Sequence, residues 1–172
     1  LPNNVTILDN NNCFLNSDLS VLAETIDKNN TLHGKKPLEI GKQVWKKGRI
    51  TILSLHDLQL KALPINIGNL TKLKKLNAYS NNITFIPQSI GKLTDLIELN
   101  IHDNQLSYLP TSIGDLSQLE KIKINHNKLT SLPITIGKLK HIKKLQINHN
   151  ELKSLPRNIC NLNFNRDAIH SF

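Results

Sequence analysis

Histidine is followed directly by aspartate at His56-Asp57 and at His102-Asp103, and Asp103, His126 and His149 lie 23 residues apart. Imidazole beside carboxylate is the raw material of metal sites and of general acid–base catalysis. The spacing argues against both. Successive residues of a strand point to opposite faces, so each His-Asp pair makes a poor chelate. The three residues at the 23-residue interval fall on adjacent parallel strands, about 5 Å apart, and point in parallel rather than converging on an ion, with no fourth ligand in view. The chain has two cysteines, Cys13 and Cys160, and neither has the close second Cys that a metal knuckle needs. Serine, histidine and aspartate are scattered, and no Gly-rich phosphate loop is present. The sequence therefore predicts no catalytic residues, no metal and no cofactor.

What positions these side chains is a repeat. Pro64, Pro87, Pro110, Pro133 and Pro156 are each 23 residues apart, and Gly68, Gly91, Gly114 and Gly137 follow the first four by four residues. Asn81, Asn104, Asn127 and Asn150 keep the same period. Five units begin at Ile50, Leu73, Leu96, Leu119 and Ile142, on the pattern L-x-x-L-x-L-x-x-N-x-L-x-x-L-P-x-x-I-G-x-L. The third shows it in full with Leu96, Leu99, Ile101, Asn104, Leu106, Leu109, Pro110, Ile113, Gly114 and Leu116. Leu99 and Ile101 alternate with Glu98, Asn100 and His102, the period of a half-buried strand. One short strand per unit cannot bury its own apolar side, so the units must stack into a common core. Asn is expected to turn the chain after each strand and to hydrogen-bond backbone groups of neighbouring coils. Pro fixes φ on the opposite side, and Gly is expected to take a left-handed conformation that ends a short helical turn.

The pattern resembles the leucine-rich-repeat family in its 23-residue form, common in bacteria, over residues 50 to about 163. The resemblance implies an α/β fold: a right-handed solenoid with a parallel β-sheet on the concave face and short helical or 3-10 turns on the convex face. It also implies a protein-binding function. Two positions depart from the pattern. Leu58 replaces the first Asn, sparing an amide that no preceding coil would satisfy, and Cys160 replaces the last Gly and is expected to be a small buried hydrophobe. Some bacterial members carry a ubiquitin-ligase domain with a C-x-D nucleophile motif. Here Asn161 and Leu162 follow Cys160, which gives that activity no support.

Solenoid ends need caps. Residues 1–49 are expected to form the N-terminal one. Leu19, Leu22, Ala23 and Ile26 make a helix stripe with Ser17 as N-cap; Leu38, Ile40, Val44 and Trp45 lead into the first repeat, with Trp45 as a plug. The junction Trp45-Lys46-Lys47-Gly48-Arg49-Ile50 resembles that of leucine-rich-repeat proteins from bacterial surfaces. Residues 50–163 form five repeats, and residues 164–172 add a C-terminal end or partial cap with one edge strand. Cys13 and Cys160 lie several coils apart, too far to bridge.

Residues between the core positions face the concave surface in columns. The columns are Ile52, Lys75, Glu98, Lys121, Lys144; then Ser54, Asn77, Asn100, Lys123, Gln146; then His56, Tyr79, His102, Asn125, Asn148; then Asp57, Ser80, Asp103, His126, His149. The partner-binding residues expected there are Ile52, His56, Lys75, Tyr79, Ile97, Glu98, His102, Lys121, Lys123 and Lys144, with Tyr79 and His102 exposed and Tyr79 the aromatic hot spot. The net charge of +9 is carried mostly by Lys; only Arg49, Arg157 and Arg166 supply the bidentate fork suited to base and phosphate recognition. Nucleic acid is therefore disfavoured as the partner. The Lys-rich C-terminal half leaves an acidic polymer, polysaccharide or membrane surface as the alternative, and a passive spacer in a surface protein as a third reading. No apolar run is long enough to span a membrane. A monomer at the cell surface or outside the cell is the expected setting, with the cytoplasm as the alternative.

Overall fold

The computed structural model describes residues 5–7, 13–162 and 169–170. Strands β1 (Val5–Ile7) and β2 (Cys13–Leu15) form an antiparallel pair leading into helix α1 (Asn16–Asp27). Strand β3 (Lys42–Lys46) pairs antiparallel with β4 (Arg49–Ser54). From β4 the sheet continues in parallel through β5 (Lys75–Asn77), β6 (Glu98–Asn100), β7 (Lys121–Lys123), β8 (Lys144–Gln146) and β9 (Ile169–His170). The edge strand expected after residue 163 is thus present as β9 beside β8. Each coil returns through a five-residue 3-10 turn that starts after the repeat Pro: Ile65–Asn69, Gln88–Lys92, Thr111–Asp115, Ile134–Lys138 and Arg157–Asn161. The fold is a right-handed solenoid, with the sheet lining the concave face and the 3-10 turns the convex face.

The core is a column of aliphatic side chains. Leu53, Leu76, Leu99, Ile122 and Leu145 come from the strand centres and are fully or almost fully buried, as are Ile67, Ile90, Ile113 and Ile136 from the turns. Each such side chain contributes about 1.5–3 kcal/mol by leaving water. The Asn column works as the sequence predicts. Asn104 Nδ2 donates to the carbonyls of Ala78, Ile101 and His102, and its Oδ1 accepts from the backbone N–H of Ile83. Asn127 and Asn150 repeat the arrangement one coil at a time.

The repeat glycines have a different role from the one expected. None has a positive φ. Gly68, Gly114 and Gly137 lie against the backbone carbonyls of Ser89, Thr135 and Asn158 in the next coil, and a Cβ on Gly91 would sit 2.8 Å from Ser112. Glycine is needed because the coils touch there. Cys160 is exposed, contrary to the buried site expected: it sits in the last described turn, with no further described coil packed upon it. The left-handed position that recurs in the repeats is instead the one before each Asn position, at Asp57, Ser80, Asp103, His126 and His149, with φ of 52–57°. Asp and His tolerate this region better than most side chains.

The N-terminal segment also departs from expectation. Leu15, not Ser17, is the N-cap of α1, and Ser17 lies inside the helix. Ala23 is exposed, and the buried stripe is Asp18, Val21, Leu22 and Thr25, so polar groups share the buried face. They carry the junction. Asp18 is fully buried and accepts from the Ile50 backbone N–H at 2.8 Å and from Arg49 Nε at 3.0 Å. Asn29 Oδ1 accepts from the N–H groups of Lys61 and Ala62, which ties the segment after α1 to the first coil. Asn29 also begins one of four N-x-Ser/Thr sequons, whose number the Asn-rich composition explains. Trp45 packs edge-on against Phe14 with ring centroids 4.6 Å apart, and only partly against the core.

Candidate functional site

Strand register builds the concave columns as expected: Ile52, Lys75, Glu98, Lys121 and Lys144 are successive neighbours, as are Ser54, Asn77, Asn100, Lys123 and Gln146. Asn100 is an exception to the expected presentation, being only 6% exposed. The acidic member of the first column is partly neutralised, since Lys75 lies 3.6 Å from Glu98. Just upstream, Lys143 bonds Glu120 at 2.8 Å, and with help from Lys121 and His141 it holds that carboxyl below the usual carboxylate range. Pairs this exposed are screened by solvent and contribute little to stability.

The third and fourth columns form a continuous ladder along the downstream rim of the sheet. His56 and Tyr79 stack with centroids 4.6 Å apart, and Tyr79 and His102 with centroids 4.7 Å apart. His56 Nδ1 hydrogen-bonds Asp57 Oδ2 at 2.8 Å, and His102 Nδ1 hydrogen-bonds Asp103 Oδ2 at 2.6 Å. The sequence expectation that neighbouring His and Asp diverge is therefore wrong here. The left-handed backbone at Asp57 and Asp103 breaks strand alternation and swings the carboxylate back to the preceding imidazole. Asp103 Oδ1 then faces His126 at 3.9 Å, and His126 stacks on His149 at 4.2 Å. In His56 and His102 the Nδ1 is thus engaged by a carboxylate, which leaves Nε2 as the free ring nitrogen. The stacking leaves Tyr79 and His102 half-buried rather than exposed as expected.

The ten predicted site residues do not form one patch. His56, Tyr79 and His102 are brought together at the downstream rim. Ile52, Lys75 and Ile97 line a hollow at the upstream end, together with Val44. Glu98, Lys121 and Lys144 continue the column of Ile52 and Lys75 along the sheet, and Lys123 lies in the next column. Sequence reasoning missed Asp57 and Asp103 as partners of the ladder histidines, and Val44 as part of the face. The signal for the first was the residue before the Asn position, where Asp and His are favoured at positive φ. Among the described residues no cluster of three or more His, Cys, Asp or Glu side chains could hold a metal ion, and no helix is long and apolar enough to cross a membrane.

A parallel-stranded solenoid with an interior Asn ladder defines a class of repeat scaffold. A family model described as a leucine-rich repeat region matches residues 39–128, more than half of the chain, and the protein belongs to that family. No curated protein matches the chain. Among solved structures, a leucine-rich-repeat protein of Leptospira interrogans is 34% identical with a TM-score of 0.56, over 70% of this chain and 36% of that one. The BIR3–SERK2 complex of Arabidopsis thaliana gives 26% identity and a TM-score of 0.62, over 73% of this chain and 69% of that one. An internalin of Listeria monocytogenes gives 27% and 0.53, over 63% of this chain and 31% of that one. This chain thus spans about a third of the two bacterial structures. The family is typically a non-enzymatic binding scaffold, and its members here support a protein-interaction module in general terms.

Proposed function

We propose that the chain is a non-catalytic recognition module that docks a protein partner on its concave face. The observation that carries this reading is the His56–Tyr79–His102 stack. Three rings held in one row on a rigid sheet offer a wide, half-apolar contact whose ordering cost is already met within the free protein. Ile52 and Ile97 add aliphatic contacts, and Lys75, Glu98, Lys121, Lys123 and Lys144 supply a polar rim of the kind that surrounds hot spots. In this reading residues 1–49 cap the first coil, residues 50–163 are the five-repeat scaffold, and residues 164–172 are its C-terminal end. In this reading the module acts as a monomer outside the cell or at its surface.

The test is affinity for a protein partner. Tyr79→Ala combined with His102→Ala should weaken binding at least tenfold, about 1.4 kcal/mol. Lys92→Ala combined with Lys138→Ala, on the convex 3-10 turns, should not. Loss only in the convex pair would move the site to the other face, and no loss in either would leave a passive spacer.

A further inference from the structure

Besides the Lys-rich C-terminal half, a second group of unpaired cations lies at the N-terminal end of the sheet. The β3–β4 connection is a two-residue turn in which Lys47 and Gly48 both have positive φ, 48° and 73°. Such a turn brings the flanking Lys46 and Arg49 side by side as paired residues. Arg49 is used internally, against Asp18 and Thr71. Lys72 is bonded to Asp95 at 3.2 Å. Lys46, Lys47 and Lys74 are exposed and meet no carboxylate among the described residues. These cations surround two adjoining hollows. One, of about 300 Å³, is bounded by Lys46, Lys47, Lys72 and Lys74, with Asp95, bonded to Lys72, also in its lining. The other, of about 160 Å³, shares Lys46 and Lys74 with the first and has Val44, Ile52 and Ile97 as its apolar lining. Val44 is 42% exposed and pairs across the sheet with Ile52, so this apolar lining is open to solvent.

We propose that this groove docks an acidic extended segment of a partner protein, one aliphatic side chain in the hollow between Val44, Ile52 and Ile97 and flanking carboxylates on Lys46, Lys47 and Lys74. The charge selects the sign of the occupant, and the apolar lining selects its kind. A polysaccharide or nucleic acid would be held by the lysines alone and would gain nothing from three aliphatic walls. A peptide with an apolar side chain between acids uses both. A cavity of about 150 Å³ lined by aliphatic groups accepts a guest of benzene size, so a Leu or Val side chain is a fitting anchor. This inference rests on the reading of the chain as a protein-recognition module; it shares Ile52 and Ile97 with that concave surface but uses none of the histidine–tyrosine ladder.

The probe is a fluorescein-labelled peptide, Gly-Glu-Asp-Leu-Asp-Glu-Gly, titrated with the full chain by fluorescence anisotropy at about 0.15 M salt, where diffuse surface attraction is largely screened. Saturable binding is expected. Replacing the peptide's Leu by Ser should weaken it at least tenfold, as should Lys47→Glu combined with Lys74→Glu in the protein. Lys92→Glu combined with Lys138→Glu should bind as wild type. Absence of saturable binding overturns the proposal. So does equal affinity for the Ser peptide, which would make the site a plain polyanion surface, or equal loss in the two charge-reversed proteins. Because the peptide is titrated without any partner of the ladder, failure here leaves the ladder's role in partner binding to its own test.

Discussion

The phenol ring of Tyr79 and the imidazole of His102 lie face to face, 4.7 Å apart with their planes 7° from parallel. Tyr79 is the middle ring of three, stacked on His56 from the other side. Ring pairs of this kind contribute about 0.5–1.5 kcal/mol each beyond area burial, so Tyr79→Ala should lower unfolding free energy by about 1–3 kcal/mol. Tyr79→Phe keeps both stacks and should stay within about 0.5 kcal/mol of wild type. Chemical denaturation of the two variants checks this. Equal stability of Ala and Phe would show that the rings touch without stabilising the sheet.

Asn104 sits inside a turn and joins three carbonyls to one N–H of the preceding coil. Asn104→Ala leaves these buried groups unpaired at a cost of about 1–3 kcal/mol each where water cannot replace the amide. The loss should reach a few kcal/mol, against about 0.5 for Lys92→Ala. A melting-temperature shift no greater than that of the Lys control would remove the ladder from the account.

Gly114 and Cys160 occupy equivalent repeat positions with opposite expectations. A Cβ on Gly114 would meet the Thr135 carbonyl and lie 2.7 Å from the Thr135 Cβ, so Gly114→Ala should cost about 1–3 kcal/mol through overpacking. Cys160→Ala, in an exposed site, should stay within about 0.5 kcal/mol. Comparable melts for both variants would refute the close coil contact.

Asp18 ties the N-terminal segment to the first coil through Arg49 and the Ile50 N–H. Removing one partner of a buried pair costs about 3–5 kcal/mol, and the partial exposure of Arg49 lowers the expectation for Asp18→Ala to about 2–4. Deleting residues 1–45 removes Asp18 and Asn29 together and uncovers the first coil, so the truncated chain should aggregate or melt without cooperativity. A soluble truncated monomer with an unchanged melt would show that this segment is no cap.

The solenoid was legible because Pro, Asn and the aliphatic positions keep phase, and a solenoid converts sequence period directly into spatial neighbours. Register then placed Ile52 beside Lys75 and His56 beside Tyr79 without further information. What escaped was set by backbone torsion or by distant contact. The left-handed φ at Asp103, which turns its carboxylate onto His102, has no periodic signature separate from that of the repeat itself. Gly114 suits either a left-handed turn or a close contact, and only the neighbouring Thr135 decides. Asp18 broke the apolar stripe of α1, and Asn29 is buried just after that helix, because their partners, Ile50 and Lys61, come from another part of the chain.

The central claim, docking along the concave ladder, is tested most directly by histidine footprinting. Diethyl pyrocarbonate modification would be quantified by mass spectrometry with and without a bound protein partner. His102 and His126 belong to the ladder, whereas His33 and His141 are exposed and outside it. Because an interface excludes water and solutes from its contact residues, modification of His102 and His126 should fall about fivefold or more in the complex. His33 and His141 should be unchanged. Undiminished modification of His102 and His126 in a saturated complex would contradict the claim.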